Sequence, residues 1–102
     1  MNQSKSIAIQ KASLEVTTAR AIYETIRCQS NNYWSLYGQL ADLDPRSVDP
    51  NASDEESINF RNMLQEYRSL AAIKDMEKAS ALAMLDKAKN YLLSLYEEEK
   101  SK

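Results

Sequence analysis

Residues 9–40 read IQKASLEVTTARAIYETIRCQSNNYWSLYGQL, and the chain's helical pattern is plainest here. Ile9, Ala12, Val16, Ala19, Tyr23, Ile26, Ser30, Tyr33, Tyr37 and Leu40 follow one another at alternating steps of three and four, with Ser30 the one polar member. Such spacing lines one face of an α-helix and is the seam pattern of a coiled coil. Ile22, Leu36 and Leu43 add a second row that widens the face. Ser30-Asn31-Asn32 could cap a new helix, and Gly38 costs up to about 1 kcal/mol inside one. The seam nevertheless predicts one long helix over about 4–42.

The residues that follow interrupt it. Pro45 and Pro50 stand in a run rich in aspartate, and proline neither continues a helix interior nor leaves its predecessor free to be helical. Residues 43–57 set Arg46 against Asp44, Asp49, Asp54, Glu55 and Glu56, whereas residues 1–42 and 58–102 are each nearly balanced. Residues 43–53 therefore read as an acidic connector. Ser53-Asp54-Glu55-Glu56 forms a capping box, in which serine and glutamate satisfy free backbone amides, and the acids suit the positive end of a helix dipole.

A second helix over about 54–98 follows. Phe60, Leu64, Tyr67 and Ala71 begin its apolar stripe, and Ala81, Leu85, Ala88, Leu92 and Leu95 continue it. Between them Lys74-Asp75-Met76-Glu77-Lys78 offers Met76 alone, which predicts a slip of phase. Glu97-Glu98-Glu99-Lys100 reads as a solvated, frayed end, with residues 99–102 as a tail. Folding about Asp49 brings Ile7 to Tyr91, Leu14 to Met84, Val16 to Leu82, Ala19 to Ala79, Ile22 to Met76 and Trp34 to Leu64. Apolar lands on apolar throughout. The expected fold is all-α: a single domain over 1–102, built as an antiparallel helical hairpin of two long helices. Its apolar positions exceed one stripe, especially over 79–85 and 33–43, and pairing two hairpins into a four-helix bundle would cover the excess. A homodimer is expected.

Composition supports this outline and excludes other classes. The chain has 102 residues, 43% hydrophobic and 27% charged, with one glycine and two prolines, too few for a many-turned β architecture. With no histidine and one cysteine there is no disulfide framework, no common zinc site and no histidine-based nucleophile pair. One glycine cannot build a phosphate-cradling loop. The acidic connector lacks the glycine and bidentate glutamate of an EF-hand, since Phe60 stands at that last position. Neither an enzyme nor a cofactor is expected. A net charge of −2, with Glu24 and Glu66 interspersed among Arg20, Arg27, Arg61 and Arg68, argues against a nucleic-acid partner. No apolar run spans a membrane and no secretion signal is read at residues 1–10, so the expected location is the cytoplasm. Cys28 reads as a small buried side chain in a reducing compartment.

The distinctive segment is Tyr33-Trp34-Ser35-Leu36-Tyr37, inside the fourteen uncharged residues 28–41. Tyr33 and Tyr37 share a face, while Trp34 is turned to one side. Phe60, Leu64 and Tyr67 lie opposite in the hairpin. Aromatic residues of this kind dominate interaction hot spots, and they can equally plug the loop end of a bundle. Tyr33, Trp34, Tyr37, Phe60, Leu64 and Tyr67 are the candidate protein-interaction residues.

In size and helix count the chain resembles small secreted two-helix proteins that carry Trp-x-Gly between their helices. Here the spacing is wider, from Trp34 to Gly38, and the Tyr-x-x-x-acid ending is missing, since Tyr91 leads to Leu95 and Tyr96 to Lys100. No family is assigned on that outline. The expected function is a non-enzymatic protein–protein interaction module, such as an adaptor, small chaperone or inhibitor. A self-assembling structural subunit is the alternative, and a regulatory nucleic-acid binder ranks below both.

Overall fold

The structure is a computed structural model that describes residues 3–43, 51 and 53–100. The described residues form two helices and no strand: α1, Gln3–Leu43, and α2, Glu55–Lys100. They fold back on each other as an antiparallel helical hairpin. The helix α1 runs unbroken through Asn31, Asn32 and Gly38, as the seam predicts. Most of the expected connector, residues 44–50 and 52, lies outside the described residues.

The chain divides into two compact units. The first joins Met1–Ile26 to Lys78–Lys102, and the second is Arg27–Glu77. In the first, Ala12 and Val16 of α1 and Ala81 and Leu85 of α2 are buried. Ile9, Ala19, Tyr23, Ile26, Ala88, Leu92 and Leu95 are half-buried around them. In the second, Ser30, Ser57, Leu64 and Ala71 are buried, flanked by half-buried Tyr33, Tyr37, Leu40, Phe60 and Tyr67. Every described member of the predicted α1 seam is thus buried or half-buried. Alanine and serine at the seam let two backbones approach closely. Leucines such as Leu64 and Leu85 each contribute roughly 1.5–3 kcal/mol by leaving water.

The expected second row does not join the core. Ile22 and Leu36 are exposed, and the side chain of Leu43 lies outside the described residues. The expected slip of phase in α2 is also absent. Lys74 and Lys78 are half-buried and carry the three-four rhythm from Ala71 to Ala81, while Met76 points to solvent. Lysine can occupy such seam positions because its methylene stem packs against apolar surface while the ammonium reaches water. Lys74 also pairs with Glu77 at 3.0 Å.

The pairing register differs from the expected one. Folding about Asp49 would set Arg68 opposite Ser30 and Leu64 opposite Trp34. In the structure both Ser30 and Trp34 meet Asp75. The shift is seven residues at Ser30 and eleven at Trp34, and since the expected pairing also laid apolar side chains on apolar ones, apolar matching alone does not distinguish the two registers. A polar group in the seam does distinguish them.

Three smaller corrections follow from local geometry. The N-cap of α2 is Asp54 and not Ser53: its carboxylate accepts the Ser57 backbone N–H at 3.1 Å and the Ser57 hydroxyl at 2.7 Å. Its carbonyl oxygen accepts the Ile58 N–H at 3.1 Å, the first helical bond. At the other end α2 remains helical through Lys100, where a frayed tail was expected; the basic residue in the last turn suits the dipole. Cys28 is exposed and not buried, because its position falls off the seam set by Ile26 and Ser30.

Candidate interaction site

The site is built in the second unit by two donors on successive turns of α1. Ser30 and Trp34 are four residues apart and so project on the same side of the helix. Ser30 is 1% exposed, and its hydroxyl donates to Oδ1 of Asp75 at 2.5 Å. The Trp34 indole N–H donates to Oδ2 of the same carboxylate at 2.9 Å. Both bonds have an ionisable acceptor, the class that is shorter and stronger than neutral pairs.

The Asp75 carboxylate thereby satisfies a buried hydroxyl and fixes the edge of an indole. Trp34 remains 39% exposed. Its ring meets Tyr37 edge to face, with centroids 6.0 Å apart and planes at 88°, a preferred aromatic geometry. The outcome is an aromatic surface held from one edge by a hydrogen bond and from another by a neighbouring ring.

The other candidate residues sort by burial. Leu64 is buried in the core. Tyr33, Tyr37, Phe60 and Tyr67 are half-buried along the seam. Trp34 alone of the six is both exposed and off the seam. Ile58, Ile73 and Met76 are further exposed apolar side chains of the same unit.

Asp75 was not among the residues singled out from sequence. Its signal was Ser30, the polar member of an otherwise apolar seam, which required a polar partner on α2. A second feature also went unmarked. In the first unit Leu14, Ile22, Met84 and Tyr91 are all exposed around an open groove of 620 Å³ between α1 and α2.

Among the described residues no group of three or more cysteine, aspartate and glutamate side chains is placed to hold a metal ion. No described helix is long and apolar enough to cross a membrane. No family model, no curated protein and no solved structure matches this chain.

Proposed function

We propose that this chain is a non-enzymatic protein–protein interaction module: a helical hairpin that pairs with a second copy and holds another protein as an adaptor, small chaperone or inhibitor. One observation carries the reading, the exposed ring of Trp34 fixed by Asp75 and Tyr37. An aromatic side chain already held in place loses little rotamer freedom on binding, so more of its contact energy reaches the complex. The unpaired cysteine suits a reducing cytoplasm.

The test is affinity capture from the native cell with wild type and Trp34→Ala, followed by titration of the captured protein with both purified forms. The reading expects Trp34→Ala to keep its helical circular dichroism, with only a small drop in melting midpoint, while losing the partner at least tenfold at equal folded fraction. A variant that melts early assigns the ring to internal packing instead.

The exposed apolar side chains Ile58, Ile73 and Met76 favour one second reading, a self-assembling structural subunit. Sedimentation across a concentration series separates the two: a closed dimer supports the module, and open-ended growth supports the subunit. Nucleic-acid binding that weakens steeply with salt would support a regulatory nucleic-acid binder over both.

A further inference from the structure

The groove of the first unit has chemistry of its own. Leu14 and Met84, 67% and 68% exposed, face solvent from its two walls, and Ile22 and Tyr91 extend them. Glu15 stands on the α1 wall and Lys87 on the α2 wall. Neither makes an ion pair with any described residue. The groove is therefore apolar along its length and carries one charge of each sign, on opposite sides.

We propose that the occupant of this groove is a second copy of the chain, packed face to face about a two-fold axis that runs along the groove. The assignment gives a contact to the homodimer proposed above and rests on that reading. The two helices run in opposite directions, so the Leu14 end of one wall is the Tyr91 end of the other, and Ile22 lies toward Met84. Half a turn about the axis lays α1 of one copy on α2 of the other at the same level. Leu14 then meets Tyr91, Ile22 meets Met84, and Glu15 meets Lys87, each contact occurring twice as an isologous interface requires. An unrelated helix in the groove would have no reason to offer both signs in mirrored places.

The experiment is sedimentation velocity over a concentration series at low ionic strength, where exposed charges are least screened. It compares wild type, Met84→Glu, Glu15→Lys, Lys87→Glu and an equimolar mixture of the two charge variants, each checked for helicity by circular dichroism. Wild type should dimerise and Met84→Glu should be monomeric. Each charge reversal should weaken the dimer about tenfold, since two attractive pairs become repulsive. The mixture should form a heterodimer tighter than either variant alone, which only contacts between copies can produce.

Should Met84→Glu lose helicity, the surface charge variants and their mixture decide the matter. A dimer indifferent to all these changes overturns the groove assignment and leaves the homodimer standing. A chain that stays monomeric at every concentration overturns both, and leaves partner capture through Trp34 to be judged on its own test.

Discussion

Trp34 and Asp75 are 41 residues apart in the chain and 2.9 Å apart in the fold, joined by the indole N–H and a carboxylate oxygen. The other oxygen of that carboxylate takes the hydroxyl of Ser30, so one side chain on α2 grips two successive turns of α1. A heptad seam is indifferent to slips of seven residues, and a polar seam residue is the means by which helix pairs fix one alignment. A slip of one heptad would leave the Ser30 hydroxyl opposite a different side chain and strip Trp34 of its acceptor.

Removing the carboxylate should therefore cost stability. Asp75→Ala leaves a buried hydroxyl and an indole N–H without their acceptor, and urea unfolding should show a loss of about 1–3 kcal/mol. Ser30→Ala should cost less than Asp75→Ala. In the double variant the costs should fall short of their sum by more than about 0.5 kcal/mol, the sign of a direct interaction. Additive losses would mean that the two side chains act independently.

The cap of α2 gives a local test. Asp54 and Ser53 both belong to the residue types that cap helices, but the Asp54 carboxylate is the one that receives the Ser57 amide and hydroxyl. Asp54→Ala should destabilise by about 1 kcal/mol, and Ser53→Ala should change little. Thermal melts of the two variants compare them directly, and the reverse order would return the cap to Ser53.

Gly38 lies within α1, its φ is not positive, and a Cβ built on it meets nothing within 4 Å. Gly38→Ala should then stabilise the chain by roughly 0.5–1 kcal/mol, through a less flexible unfolded chain and a better helix former. A destabilised variant would show that the position tolerates no side chain.

Leu64 and Trp34 should respond in opposite ways. Leu64 is buried, so Leu64→Ala should cost about 2–5 kcal/mol by loss of transfer energy and creation of a cavity. Its effect on partner binding should disappear once the folded fraction is accounted for. Trp34→Ala should do the reverse, with a small loss of stability and a large loss of binding at equal folded fraction. Paired melting and binding curves supply both readings.

Most of the hairpin was legible because a seam of threes and fours needs no tertiary information. All ten members of the α1 stripe, Ile9 to Leu40, are buried or half-buried as that pattern requires. The register was not legible, since apolar matching repeats every heptad and the discriminating contact joins Ser30 to a residue on the other helix. The middle of α2 was misread for a related reason. Lys74 and Lys78 count as polar in any periodicity, although their stems serve the seam as apolar chain. Among the candidate site residues the aromatic character of 33–37 was plain. That Trp34 is turned off the seam was legible too, but that its N–H is engaged depended on where Asp75 arrives, which no local pattern records.

The chain holds a single tryptophan, and so the register locked at Asp75 can be read from one resonance. In an amide correlation spectrum of the ¹⁵N-labelled protein, the Trp34 indole N–H should appear as one peak, slow to exchange with solvent and shifted from the free-indole position. Asp75→Leu should return it toward that position and speed its exchange. An indole peak already at the free position in wild type, or one unmoved by Asp75→Leu, would contradict the register described above.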